Sequence, residues 1–232
     1  MSQLKLPLER PPSFERDDFA VSPANEDAVR AVDTWPEWPN GRLALVGPSG
    51  SGKTHLARAW AEKAGAVVID AADPNLAPLD LPALRGRAIL IEDADRRALG
   101  GVVSDEDLFH LLNMAGIDGG SLLLTAQVAP LEWRTVVPDL RSRLNALTAA
   151  VIDEPDDVVL EAVLRRAFAD RLIRPADDVY AFLLRRIPRS APEAVALVAL
   201  LDEAASESGR GITRAFAAQV LAFGEDEDFD EA

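Results

Sequence analysis

Residues 47–54, with the sequence GPSGSGKT, fit the pattern G-x-x-x-x-G-K-[S/T] that binds nucleotide phosphates. Glycines let successive backbone amides face one anion, and the N-terminus of a following helix adds partial positive charge. The lysine of the pattern reaches the β- and γ-phosphates, and the threonine hydroxyl binds Mg²⁺. The predicted binding residues are Gly47, Gly50, Ser51, Gly52, Lys53 and Thr54. Coincidence is the alternative, at roughly one match per thousand chains of this composition.

A pair of carboxylates is the second feature that suits a nucleotide site. The apolar run 88–91 ends in Glu92 and Asp93. In phosphoryl-transfer sites an acidic residue of this kind holds Mg²⁺ and its water. We therefore predict Thr54 and Glu92 as metal ligands, and Glu92 and Asp93 as catalytic residues. The alternative is an ordinary strand that ends in a charged turn.

The elements that must position these residues alternate along the chain. Short continuous apolar runs, typical of strands buried on both faces, occur at 43–46, 66–69, 88–91, 122–124 and 149–152. Helical patterns separate the first four runs, at 53–64, near 81–84 and at 105–115. This order predicts βαβ crossovers and an α/β fold, with a mostly parallel sheet flanked by helices.

From Pro155 onward the apolar spacing is helical, and no strand pattern follows. The spacing predicts a small bundle of four helices. The domain organisation that we expect is an N-terminal tether at 1–13, a nucleotide-binding α/β domain at 14–154, an all-helical domain at 155–223 and a disordered acidic tail at 224–232.

Composition excludes several other kinds of protein. The chain of 232 residues has no cysteine and two histidines, which excludes disulfides and thiolate zinc sites and disfavours a multi-histidine metal centre. A formal charge of −15 disfavours direct binding to duplex DNA, which relies on Lys and Arg at the phosphates. The N-terminus lacks the pattern of a signal peptide, and the longest apolar run, 194–201, is too short to span a membrane. We expect a cytoplasmic protein without a membrane partner.

Several segments together resemble the DnaA-type AAA+ ATPases. Residues 52–56, GKTHL, preceded by FAV at 19–21, are similar to the opening of that family, and residues 138–144, PDLRSRL, are similar to its arginine-finger box. The strand 122–127 stands where the family has its sensor-1 strand, and the helical domain then corresponds to the AAA+ lid. The resemblance implies that ADP or ATP binds with Mg²⁺. The further binding residues that it implies are Phe19, Val21, His55, Gln127 and, near the sensor-2 position, Arg189.

Within that family, the chain resembles the Hda-type regulatory inactivators of DnaA. Residues 3–8, QLKLPL, are similar to the hexapeptide with which these proteins bind the β sliding clamp of DNA polymerase III, and the resemblance assigns this role to Gln3, Leu4, Leu6 and Leu8. It implies a negative regulator of chromosomal replication initiation that presents Arg143 as an arginine finger to ATP on DnaA. DNA would then be a partner only through the clamp, and a homodimer is consistent with the family.

The sequence departs from the DnaA pattern at catalytic positions. Glu92 stands where an aspartate is usual, Gln127 replaces an acidic residue, and Arg189 lies just upstream of the expected sensor-2 position. These changes predict weak intrinsic ATPase activity with nucleotide binding retained. The alternatives are a helicase-loader or clamp-loader type of ATPase, and a nucleotide-bound adaptor without a catalytic role. For the two short motifs the alternatives are that Arg143 is an ordinary surface arginine and that residues 3–8 pair with the chain's own sheet.

Overall fold

The computed structural model describes residues 14–96 and 103–227 of the chain. Five strands form one sheet in the order β2-β3-β4-β1-β5, and every neighbouring pair is parallel. The strands are β1 (Arg42–Val46), β2 (Val67–Asp70), β3 (Ala88–Glu92), β4 (Ser121–Ala126) and β5 (Ala149–Val151). The predicted α/β fold is confirmed, and the predicted strands lie within one or two residues of these bounds.

The helices of the described residues are α1 (Glu26–Asp33), α2 (Lys53–Ala64), α3 (Leu81–Leu84), α4 (Asp105–Met114), α5 (Pro138–Asn145), α6 (Asp157–Asp170), α7 (Asp177–Leu183), α8 (Ala191–Ser208) and α9 (Arg214–Glu227). Helix α2 has the predicted bounds, because Gly52 and Gly65 flank it in left-handed conformations. Among these helices, none combines the length and the apolar character that crossing a membrane requires.

Helices cover both faces of the sheet, which explains the continuous apolar strands. Alternate strand residues such as Leu43 and Leu45 pack with Leu56 and Trp60 of α2 in one cluster. The residues between them, together with Ile91, pack with α4 and α5 in a second cluster. Strands buried on both faces need apolar side chains at every position. For this reason the strands can be recognised in the sequence as continuous apolar runs.

The helical domain has its own core, in which Phe168, Leu183 and Val198 are buried. Its last helix, α9, extends to Glu227, so the segment 224–227 is helical rather than part of the predicted disordered tail. The rest of that tail and the predicted clamp-binding residues Gln3, Leu4, Leu6 and Leu8 lie outside the described residues.

Direct contacts join the helical domain to the nucleotide-binding domain. Arg166 of α6 forms an ion pair with Asp18, which lies before α1. The backbone amide of Ala191, the first residue of α8, donates a hydrogen bond of 3.1 Å to the Gly50 carbonyl. The first contact fixes the segment before α1, and the second places the start of α8 on the phosphate loop.

Candidate functional site

The phosphate loop follows the carboxyl end of β1, and α2 begins at Lys53 of the loop. Gly50 and Gly52 have φ values of +74° and +98°, which residues other than glycine rarely adopt. A Cβ added to Gly47 would lie 2.3 Å from the Ile152 carbonyl oxygen. Glycine is therefore needed at these three positions for the chain to turn tightly above the sheet; the motif requires it at 47 and 52, and the structure adds Gly50.

Lys53 is buried beneath this loop. Its Nζ donates hydrogen bonds of 2.7 Å to the carbonyl oxygens of Gly47 and Pro48. Burial lowers the pKa of Lys53, and the negative charges of Asp93 and Asp95 raise it in part. The ammonium group thus sits in a partly desolvated site, where water screens its attraction to a phosphate less than at the surface.

The two predicted carboxylates at the end of β3 have different surroundings. Glu92 is buried and forms an ion pair with Arg58 of α2. Asp93 has a left-handed φ of +51°, its amide donates to Thr125 Oγ1 at 3.1 Å, and its carboxylate lies 3.4 Å from Arg96. The strand end therefore directs one carboxylate into the interface with α2 and leaves the other in the turn.

Asp95 is a site residue that the sequence analysis did not identify. Its Oδ2 accepts hydrogen bonds from the amides of Gln127, at 2.9 Å, and Val128, at 3.3 Å, just after β4. It therefore links the end of β3 to the predicted sensor-1 residue, whose side chain is exposed. The only signal in the sequence is an aspartate three residues beyond Glu92, which alone does not predict this role.

Unpaired polar atoms are found where a magnesium nucleotide would bind. Among the described residues, Ser51 Oγ, Glu92 Oε1 and Asp95 Oδ1 are buried without a hydrogen-bond partner. Buried polar atoms are normally satisfied, and here they accompany a lysine under a glycine loop. The residues therefore fit an anionic, metal-binding ligand: Lys53 and the loop amides suit its phosphates, and Thr54, which is exposed at the start of α2, suits its Mg²⁺.

The segment before α1 packs directly on the phosphate loop. Phe19 is buried, and a Cβ added to Gly52 would lie 3.1 Å from its ring. His55 contacts the Phe19 ring edge to face at 5.4 Å, and its Nε2 lies 3.0 Å from the Glu15 carbonyl oxygen. Val21 is 47% exposed. Phe19 thus lies against the phosphate loop, Val21 is exposed two residues further on, and His55 fixes the segment that carries both predicted binding residues.

The predicted sensor-2 residue, Arg189, has a different partner. Its guanidinium forms an ion pair with Asp157 at the start of α6. The next residue, Ser190, begins α8 with its side chain accepting from the Glu193 amide, and it lies against Gly50. The start of α8 therefore meets the phosphate loop through Ser190 and the backbone, and Arg189 is held within the helical domain.

Gly50→Ala is expected to disrupt this contact. An added Cβ would lie 2.5 Å from Ser190 Oγ and would clash with it. The left-handed conformation of the alanine would cost roughly 1–2 kcal/mol more. Gly65→Ala is the matched control, since its φ is +59° and nothing lies within 4 Å of the added Cβ. Urea unfolding should show a larger loss of stability for Gly50→Ala. Equal losses would mean that the α8 contact is not tight.

Two arginines of α5 are distinguished by their surroundings. Arg141 donates to the carbonyl oxygens of Leu131, at 2.8 Å, and Trp133, at 2.5 Å, and so supports the preceding loop. Arg143 is exposed, and its guanidinium forms no hydrogen bond or ion pair with any residue of the described part of the chain. Of the two, Arg143 is the one available to another molecule.

Arg143 lies near the end of the sheet at which β1 begins, opposite the end that carries the phosphate loop. Arg143 is in the last turn of α5. The pKa of Arg42 is lowered mainly by the burial of Arg42 itself and secondly by the positive charge of Arg143. Arg42 opens β1, so roughly 13 Å of strand separates it from the loop. Arg42 is buried, with Nη1 donating to the Leu112 carbonyl at 2.6 Å. Arg143 therefore adds to a positive region remote from the chain's own phosphate-binding loop.

Sequence comparison relates the chain to replication initiators. It is 28% identical over 229 residues to the chromosomal replication initiator protein DnaA of Caulobacter sp. (strain K31), covering 87% of this chain and 46% of that protein. Identity to DnaA of Rhizobium johnstonii is 30% over 200 residues, covering 76% of this chain and 41% of that protein. The chain thus spans less than half the length of these relatives. No protein-family model matches it.

A further relative and three solved structures extend the comparison. An uncharacterized protein of Haemophilus influenzae is 27% identical, with 76% of this chain and 80% of that protein covered. Domain III of Thermotoga maritima DnaA superposes with a TM-score of 0.76 at 18% identity, covering 91% of this chain and 97% of that one. A mutant of Thermotoga maritima RuvB gives 0.67 at 17% identity, covering 91% and 72%. DnaA bound to AMPPCP and single-stranded DNA gives 0.66 at 18%, covering 86% and 69%. The chain therefore has a DnaA-like AAA+ P-loop fold.

Proposed function

We propose that this protein is a cytoplasmic negative regulator of chromosomal replication initiation, which binds an adenine nucleotide and stimulates hydrolysis of ATP bound to DnaA. The observation that carries the proposal is Arg143, an exposed arginine on a DnaA-like fold whose guanidinium has no partner in the described chain. The similarity to DnaA favours a second AAA+ protein as the molecule that it contacts.

The chemistry requires a cation at the transferred phosphoryl group. A guanidinium supplied by a neighbouring molecule offsets the negative charge that develops there, and is worth about 10³–10⁵ in rate in known nucleotide hydrolases. Arg143 lies near the buried, positively charged Arg42. Approach to a phosphate would relieve the repulsion between the two guanidinium groups, which favours contact with an anion.

The protein's own nucleotide is proposed to have a structural role. The DnaA complex with AMPPCP is a solved neighbour of this fold, and Lys53, Thr54 and the segment around Phe19 fit an adenine nucleotide with Mg²⁺. Glu92 is paired with Arg58, which supports weak intrinsic hydrolysis. In this proposal bound ADP or ATP stabilises the contact between the phosphate loop and α8.

The assay of choice is hydrolysis of radiolabelled ATP on purified DnaA, in the presence of this protein and DNA-loaded β clamp. Acceleration of hydrolysis that requires both this protein and the DNA-loaded clamp supports the proposal. Binding to clamp and nucleotide without acceleration would identify an adaptor instead. Rapid ATP hydrolysis by this protein alone would identify a loader-type ATPase and overturn the proposal.

Gln3→Ala is expected to abolish binding to the clamp and, with it, the clamp-dependent stimulation. Residues 3–8 form a short peptide in which Leu6 and Leu8 would enter an apolar pocket and Gln3 would hydrogen-bond in a polar subsite. The measurement is binding to β clamp on a biosensor surface, repeated in the hydrolysis assay. Glu9→Gln, just beyond the peptide, is the control. Clamp binding by Gln3→Ala at the affinity of the unaltered protein would contradict this role.

A further inference from the structure

The ion pair between Arg58 and Glu92 lies where the end of β3 meets α2. The Glu92 side chain is 10% exposed and the Arg58 side chain 37%. Water and salt screen the attraction between the two charges less in this partly buried position than at the surface. The pair involves the residue that the sequence analysis assigns to Mg²⁺, so Arg58 bears directly on the metal site.

Strand and helix periodicity place two cationic partners within reach of Glu92. Glu92 follows Leu90 on alternate positions of β3, and Leu90 packs in the cluster formed with α2. Thr54 and Arg58 are four residues apart in α2 and so lie on one face, one turn apart. A Mg²⁺ held at Thr54 and the Arg58 guanidinium would therefore stand in a row along the helix facing Glu92.

The negative charge of Glu92 is matched by Arg58, one helical turn below Thr54. A glutamate has one more methylene than an aspartate at the same position, and this added reach lets its carboxylate contact the second turn of the helix.

The pair also leaves bonding capacity unused. Glu92 Oε1 and Arg58 Nε are both buried without a hydrogen-bond partner among the described residues. Leaving such atoms unsatisfied costs free energy, and a cation at Thr54 would satisfy the carboxylate oxygen. The Glu92 carboxylate is therefore only partly satisfied by Arg58, and a cation at Thr54 would draw it away from that ion pair.

We propose that Arg58 is a positioning residue that competes with Mg²⁺ for the Glu92 carboxylate, and so sets the Mg²⁺ concentration at which the metal affects nucleotide binding. The inference rests on the nucleotide site of the proposed function. At low Mg²⁺ the carboxylate stays on Arg58. At high Mg²⁺ it turns toward Thr54, and the nucleotide is held more tightly. Arg58 thereby keeps the metal site weak, which is consistent with a protein that binds nucleotide without hydrolysing it quickly.

The test is the affinity of the pure protein for a fluorescent ADP analogue, measured over a range of Mg²⁺ concentrations. In Arg58→Gln the Mg²⁺ concentration of half-maximal effect is expected to fall about fivefold, the effect of losing a competing ion pair worth about 1 kcal/mol. In a Glu92→Gln background the same Arg58 substitution is expected to leave that concentration unchanged. A purely structural arginine would not show this dependence on Glu92.

Arg85→Gln is the matched control, because it removes the arginine of an exposed ion pair with Asp118 and leaves α2 untouched. If Arg58→Gln does not fold by circular dichroism, Arg58→Lys takes its place, with a smaller decrease expected in the same direction. An unchanged Mg²⁺ requirement with normal nucleotide affinity would overturn this inference alone. Failure of the unaltered protein to bind nucleotide would overturn it together with the nucleotide part of the proposed function, whereas failure to stimulate DnaA would leave it intact.

Discussion

Arg143→Ala is expected to lower the stimulation of DnaA-bound ATP hydrolysis by about 10³-fold, the lower end of the range for an arginine supplied in trans. The guanidinium is exposed and carries no structural contact in the described chain, so its removal should not affect folding. The loss should appear in the rate of hydrolysis at saturating protein, because the arginine acts on the transferred phosphoryl group. Single-turnover hydrolysis of ATP preloaded on DnaA measures this rate.

Two further variants sharpen the comparison. Arg174→Ala removes an exposed arginine of the helical domain and is expected to retain full stimulation. Arg143→Lys keeps the charge but loses the planar pair of donors, so it is expected to recover only a small part of the rate. Unchanged stimulation by Arg143→Ala, with clamp and nucleotide binding intact, would assign the protein to the adaptor class and make Arg143 an ordinary surface residue.

The α/β fold could be predicted because its physical requirements leave strong marks in the sequence. Strands covered on both faces need uninterrupted apolar runs, as at 88–91 and 122–124. The phosphate loop needs glycine where φ is positive, and Gly50 and Gly52 both have such values. Helix α2 is flanked by left-handed glycines, which is why its predicted bounds agree with the structure.

The partners of the charged residues could not be predicted in the same way. Arg58 lies 34 positions before Glu92, and Asp95 lies 32 before Gln127, so neither contact follows from local spacing. Arg189 stands near the start of α8, close to the expected sensor-2 position, yet it pairs with Asp157 of α6. Long polar side chains reach several partners, and only the packed fold decides among them.

The choice between Arg141 and Arg143 shows what the structure adds to a motif. Both arginines stand on the same short helix in the segment that resembles the arginine-finger box. The Arg141 guanidinium donates hydrogen bonds to the carbonyl oxygens of Leu131 and Trp133, and these bonds hold the loop before α5 in place. That support fixes the helix, and the fixed helix in turn holds Arg143 outward. A finger needs such preorganisation, since a mobile arginine would lose rate through entropy on docking.

Lys53→Ala is expected to abolish nucleotide binding and, with it, the thermal stabilisation by ligand. A ligand at 100 times its dissociation constant stabilises a protein by about 2.7 kcal/mol. For a chain of this size that corresponds to a rise in Tm of roughly 5–10 °C. The measurement is thermal unfolding with and without ADP and Mg²⁺. The unaltered protein should show the rise and Lys53→Ala should not, because the ammonium group that faces the phosphates is gone.

Folding should survive this substitution. Burial lowers the pKa of Lys53, so its charged form is held in the fold at a cost, and alanine removes that cost together with two hydrogen bonds to the loop. Lys63→Ala is the matched control, an exposed lysine in the last turn of the same helix, and it should keep the full rise in Tm. A Lys53→Ala protein that is still stabilised by ADP would place the nucleotide elsewhere. Loss of ligand stabilisation in Lys53→Ala alone, with Arg143→Ala still stabilised, would separate the residue that holds the protein's own nucleotide from the one that acts on DnaA.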